Sequence, residues 1–202
     1  MQVNSLDDLY RHKLMLIHDA EQQALEAYPR LVEQVENEEL RQAMQQHMDQ
    51  TQQQVQLLQP LVEGGMPEMD DESHRCASMT ALIQETEQML GMIGDADTRD
   101  AFLIGAAQAI EHHEIAAYGT VRAWAEQLGR EEDLEVIEQI LEQEKETDEL
   151  LTQLAESSVN EEAAEDSDRE VPMELGSEMG SQRGRGAAGG RQSTDDADEM
   201  RA

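Results

Sequence analysis

Four long stretches of this chain carry apolar residues at alternating three- and four-residue spacing, and the joints between them run short, long, short. The first reads as a helix from Ser5 to about Val35. Ser5 and Asp8 have capping-box spacing, and Leu14, Ile17, Leu25, Tyr28, Leu31 and Val35 recur along one face. Pro29 lies inside it and predicts a kink near Leu25, because proline removes one backbone hydrogen bond and crowds the turn before it. Asn37 then caps a second helix, Glu38 to about Glu63, with Leu40, Met44, Met48, Val55, Leu58 and Val62 as its seam, stopped by Gly64, Gly65 and Pro67.

A shorter amphipathic segment, Ser73 to about Gly91, is marked by Cys76, Met79, Leu82, Ile83 and Met89. Asp97 opens a third long helix through Leu103, Ala107, Ile110, Ala117, Val121 and Trp124, closed by Gly129. Glu131, Glu132 and Asp133 favour the start of a fourth, which continues through Leu134, Ile137, Leu141, Leu151 and Ala155. Short joints force two antiparallel hairpins. One long crossover between them is the connectivity of a ferritin-like bundle, whereas an up-and-down bundle has three short loops. The expected fold is therefore all-α: a ferritin-like four-helix bundle of two antiparallel hairpins, with an extra connecting helix (about 73–91) in the crossover. The bundle is expected to fill residues 1–159, and residues 160–202, rich in Glu, Asp, Ser, Gly and Arg, to form a disordered acidic tail.

Acids outnumber Lys and Arg by 46 to 14, a balance that repels phosphate backbones and argues against nucleic-acid and anionic-membrane partners. No apolar run approaches bilayer-spanning length, and the N-terminus lacks the basic and apolar regions of a secretory signal, so a cytoplasmic protein is expected. Lys13 and Lys145 are the only lysines; strong acidity with few lysines suits a salt-rich cytosol, hence a halophilic source. Cys76 is the sole cysteine, which excludes an intramolecular disulfide and a thiolate zinc site, and reads as a small buried apolar residue.

The informative feature is where acids fall on the apolar stripes. Glu21 continues the stripe of Leu14, Ile17 and Tyr28. Ile110 and Ala117 bracket Glu114, with Glu111 one turn before it. Glu144 and Asp148 interrupt the run from Leu134 to Ala155, and the second helix offers Asp49 and Gln52 beside Met48 and Val55. All lie near mid-helix, and in antiparallel hairpins the midpoints meet at one level. Unpaired carboxylates there cost several kcal/mol each even after relaxation, so a cluster needs protons or cations. Divalent metal is the economical counter-ion: iron or manganese where some nitrogen is present, magnesium, calcium or manganese where it is not, with up to two ions per chain. His18, one turn before Glu21, and His47 are the candidate nitrogen ligands.

The chain resembles the YciE/YciF-type ferritin-like stress proteins. The resemblance is carried by Asp19-Ala-Glu-Gln-Gln, by Cys76 with Ala77, Met79, Leu82 and Ile83, by DAFLIGAAQAIEHHEIAAYGT from Asp100 to Thr120, and by Ala125-Glu-Gln-Leu-Gly and Glu144-Lys-Glu-Thr-Asp148. It covers about Ser5 to Val159. It implies a homodimer of ferritin-like bundles with a dinuclear metal site, in which Glu21, Glu111, Glu114, Glu144 and Asp148 match the family acids. Asp49 and Gln52 stand where ferritin-like di-iron sites usually have Glu-x-x-His. Two functions compete on this reading. One is a metal-binding protein of stress response or oxidant and metal handling, with oxygen- or peroxide-reactive or ferroxidase-like chemistry. The other is a non-enzymatic structural or stress-associated bundle with a degenerate metal site.

Overall fold

The structure, a computed structural model, describes residues 3–63 and 75–167. These residues form six α-helices and no strand: α1 Leu6–Val32, α2 Glu38–Glu63, α3 Ala77–Leu90, α4 Ala96–Leu128, α5 Glu131–Leu154 and α6 Asn160–Ser167, with a π-helical turn at Ala155–Val159. Helices α1 and α2 form one hairpin and α4 and α5 the other; α1 packs on α4 and α2 on α5, as the short joints require. Helix α3 occupies the crossover and lies against α1 and α4.

Local chemistry sets the ends. Ser5 Oγ accepts the Asp8 N–H at 3.0 Å and starts α1. The helix runs through Pro29 and stops at Val32, three residues short of the expected end, because two tighter turns follow (Gln34 N–H to Leu31 O, Val35 N–H to Val32 O). Asn37 Oδ1 accepts the N–H groups of Glu39 and Leu40, the expected cap of α2. Asp95, two residues earlier than the sequence suggested, caps α4 through the Thr98 N–H at 2.7 Å, which leaves Asp97 inside the first turn. Buried Asp100 accepts from the N–H groups of Glu36 and Asn37 and so fastens the α1–α2 joint to the start of α4. Gly129, with φ of 67°, closes α4 in the left-handed conformation that only glycine adopts at little cost.

Two expectations need correction. Helix α3 begins at Ala77, since Arg75 and Cys76 are non-helical and 73–74 lie outside the described residues. The Cys76 N–H donates to Asp19 Oδ2 at 2.6 Å, so an acid on α1 serves the start of α3. Secondly, order does not end at 159. The π-helical turn packs on α4 and α5 with Val159 buried in the core, and α6 continues from Asn160 to Ser167. The remainder of the expected tail, 168–202, lies outside the described residues.

Cys76 is buried just before α3, as expected. Burial would push its thiol up, yet contacts with His113 Nε2 at 3.6 Å and Ser78 Oγ at 3.3 Å hold it down at about 7.

The core divides in two. One cluster gathers Ala24, Tyr28, Leu40, Met44, Met79, Leu103 and Leu151; the other gathers Tyr10, Leu14, Ile17, Leu58, Tyr118, Val121 and Ile137. Between them, at mid-bundle, lies a polar layer.

Candidate metal centre

Each long helix of the two hairpins sends polar groups into that layer from an otherwise apolar stripe. On α1, Glu21 continues Leu14 and Ile17 towards Ala24 and Tyr28. On α4, Glu111 and Glu114 sit between Ala107 and Tyr118, and on α5 Glu144 and Thr147 sit between Leu141 and Leu151. On α2 the buried residues are Leu40, Met44, His47, Thr51, Gln54 and Leu58, an unbroken run of three- and four-residue steps. Glu21, Glu111 and Glu144 are fully buried at 0% exposure, and Glu114 and His47 nearly so at 2% and 4%.

One ligand atom from each of His47, Glu111, Glu114 and Glu144 lies within 4.8 Å of all the others, a spacing that a single metal ion can span. His47 Nε2 is 3.0 Å from Glu111 Oε1 and 3.9 Å from Glu144 Oε2. Its Nδ1 is 3.2 Å from Thr147 Oγ1, and its ring stands edge-on to Tyr28. Placing the imidazole proton on Nδ1, where Thr147 can accept it, leaves the Nε2 lone pair facing the acids, as a ligating histidine requires. Around this set, Tyr118 Oη donates to Glu21 Oε1 at 2.5 Å and Tyr28 Oη to Glu111 Oε1 at 3.3 Å. Gln54 Nε2 donates to Glu144 Oε1 at 2.5 Å.

Satisfaction stops there. Glu21 Oε2, Glu111 Oε2, Glu114 Oε1, Glu144 Oε2, His47 Nε2 and Gln54 Oε1 are buried without a hydrogen-bond partner. Among the described residues no Lys or Arg pairs with any of the four carboxylates. Burial, and after it the Glu144 charge, lifts the Glu21 carboxyl to about 8; burial likewise lifts Glu111 to about 8. Glu114 and Glu144 are driven well above the carboxylate range, by burial first and by neighbouring carboxylates next. The same burial keeps Tyr28 and Tyr118 protonated and able to donate. Four acids that resist ionisation, one imidazole and six unpartnered polar atoms fit divalent metal: two such ions would cancel four carboxylate charges.

Of the residues expected from sequence, Glu21, His47, Glu111, Glu114 and Glu144 come together. Asp49 and Gln52 do not: both are exposed, because the buried face of α2 runs through His47, Thr51 and Gln54 and turns the intervening positions to solvent. Asp148 is partly exposed on the α4–α5 seam, where Gln108 Nε2 at 3.1 Å and His112 Nδ1 at 3.3 Å approach its Oδ1. His18 is only half-buried and lies outside the cluster of ligand atoms. Gln54, Thr147 and the two tyrosines were missed. The signal for Gln54 was its place in the four-three step from Thr51 to Leu58, legible only if polar residues are allowed on the seam.

The family model described as a domain of unknown function (DUF892) matches residues 5–164. Protein YciF of Escherichia coli (strain K12) is 36% identical over 147 residues, 73% of this chain and 88% of that protein. The crystal structure of the E. coli stress protein YciF is similar with a TM-score of 0.72 at 35% identity, covering 78% of this chain and 99% of that one. YcfI of Rhodopseudomonas palustris gives 0.70 at 35% identity, covering 75% and 95%. Symerythrin from Cyanophora paradoxa, a ferritin-like protein, gives 0.54 at 13% identity, covering 77% and 86%, a likeness of fold alone.

Proposed function

This chain belongs to the YciE/YciF-type family, that of the DUF892 domain, and on that premise we propose that it is a ferritin-like metal-binding protein acting in stress response, in the handling of oxidants or of metal. The observation that carries this reading is the mid-bundle layer of four buried carboxylates, none with a Lys or Arg partner among the described residues, and one imidazole. His47, Glu111, Glu114 and Glu144 would hold one ion, and Glu21, close enough to feel the Glu114 and Glu144 charges, would help to hold any second. Iron or manganese suits a donor set of carboxylate oxygens and one nitrogen. Bound there, such ions supply Lewis acidity and one-electron chemistry in a water-poor site. The chain's own residues do the rest: Thr147 fixes the His47 ring, Gln54 and Tyr118 orient Glu144 and Glu21, and the apolar clusters above and below exclude bulk water.

Ferrous or manganous ion added to metal-free protein is expected to bind at one to two ions per chain. It should raise the thermal midpoint by about 5–10 °C at saturating metal, since ligand bound at a hundredfold excess over Kd adds about 2.7 kcal/mol. Elemental analysis after desalting and a melting curve measure both; no retained metal and no shift would sink the proposal. A second reading is favoured by one observation: Thr147 stands three residues after Glu144, where Glu-x-x-His would place a histidine. On that reading the bundle is structural and its site degenerate, and loaded protein consumes no dioxygen.

We further propose a homodimer paired through α4. From Ala101 to Ala125 this helix carries only two acids, Glu111 and Glu114, both buried, in a chain with 46 acids. Its outer face presents Phe102, Gly105, Ala109, Ala116 and Ala123. An outward face of small and apolar residues, free of acids in so acidic a chain, fits a cover by a second copy. Light scattering should give twice the chain mass, falling to one chain mass for an Ala109→Glu, Ala116→Glu variant; a monomeric parent refutes the pairing.

A further inference from the structure

Residual exposure in the polar layer is greatest on one side, Glu114 keeping only 2% elsewhere. Glu21, Glu111 and Glu144 are sealed at 0%, while His47 keeps 4% and Thr147 9%. That side is the α2–α5 seam, where two cavities meet. The inner, about 10 Å³, touches His47 and Glu111 and is otherwise walled by Tyr28, Met44, Ala107 and Leu151. The outer, about 90 Å³, opens between Gln46, Gln50 and Glu146. Ala43, Thr147 and Leu150 border both. Leu150 is 38% exposed, one of few large apolar side chains facing solvent among the described residues.

From this we infer that the seam is a port leading to the His47–Glu111 side of the layer, with Ala43 as its narrow wall and Leu150 as its cover, and that it admits a small uncharged gas molecule of the dioxygen class. The inference rests on the metal-centre reading for its purpose, though not for its geometry. The inner cavity has room for about one water-sized molecule. Its walls are mostly carbon, and the Tyr28 and Thr147 hydroxyls that border it are engaged with Glu111 and His47, so a hydrated cation would lose its water there with little to replace it. An uncharged diatomic loses almost nothing on entering. Leu150 is held by no hydrogen bond and needs only a rotamer change to uncover the passage, a nanosecond event at an exposed site. Metal must reach the layer by another path or during folding.

Two probes test this. Crystals of the metal-free protein under xenon should show the gas between Ala43, Leu150 and Leu151, and Ala43→Phe should abolish it. In ferrous-loaded protein without oxygen, nitric oxide should form its iron adduct at least 10-fold more slowly in Ala43→Phe and 2- to 5-fold faster in Leu150→Ala. Equilibrium iron content should be unchanged in both. Xenon absent from the parent, or adduct rates equal in all three proteins, would overturn the port. If the parent binds xenon there but no iron, the metal-centre reading fails while the passage stands. Should Ala43→Phe not fold, the Leu150→Ala rate and the parent xenon site suffice.

Discussion

A Glu144→Gln protein is expected to keep its helices and lose at least about 100-fold in iron or manganese affinity, whereas Asp148→Ala binds as the parent does. The two acids are one helical turn apart on α5, and the sequence places both on its seam. The structure separates them. Glu144 is sealed in the layer with an unpartnered oxygen, while Asp148 lies 23% exposed against Gln108 and His112. Glutamine preserves the volume of Glu144 and removes its charge, so no cavity confuses the result. Removing an uncompensated buried acid should also leave the metal-free protein as stable as the parent or more so near neutral pH. Isothermal titration for affinity and urea unfolding for stability read the two effects separately. Loss of binding in Asp148→Ala with retention in Glu144→Gln would move the site to the α4–α5 surface.

In the metal-free protein, stability is expected to fall as pH rises from 5 to 8, opposite to ordinary acid denaturation. Carboxyls raised in the fold hold protons that the unfolded chain, with values near 4.5, has released. Their stabilising contribution is complete below about 4.5 and disappears as pH climbs through about 8 for Glu21 and Glu111, and higher still for Glu114 and Glu144. Each carboxyl protonated only in the fold gives a slope of about 1.4 kcal/mol per pH unit. Asp7, Asp8 and Glu38 are lowered instead, but their contribution is already complete by pH 5. His18, lowered by burial, and Cys76, held at about 7, work the other way, two groups against four. Metal reverses the trend: it takes the place of the protons, so bound protein gains stability over the same window. Urea midpoints at pH 5, 6.5 and 8, with and without manganese, should diverge steadily. Parallel curves would mean that the four carboxyls are not the groups in question.

Much of this architecture is legible in the sequence because short joints leave little choice. Asn37 and Gly129 sit at the turns of the two hairpins, and the α1–α2 and α4–α5 pairs follow from them. The acids of α1, α4 and α5 were visible because each interrupts an apolar run that would otherwise be continuous. Helix α2 was harder to read. Its core face is half polar, with His47, Thr51 and Gln54 buried, so a seam drawn through Met48 and Val55 pointed to Asp49 and Gln52 on the wrong side. Asp148 failed for a different reason. A helix of 3.6 residues per turn cannot keep positions 144, 147, 148 and 151 all on one narrow line, and the packing against α2 takes Thr147 inward to His47 and leaves Asp148 at the α4–α5 edge. The continuation past 159 was hidden because α6 is acidic and weakly amphipathic, ordered by the burial of Val159 before it and not by a stripe of its own.

The most direct measurement is anomalous diffraction at the iron and manganese absorption edges from crystals soaked in either ion. A peak bounded by His47, Glu111, Glu114 and Glu144, with any second peak about 3.5–4 Å away towards Glu21, is the predicted result. Density only at acids outside the layer, such as exposed Asp49 or partly exposed Asp148, with the mid-bundle layer empty, would contradict it.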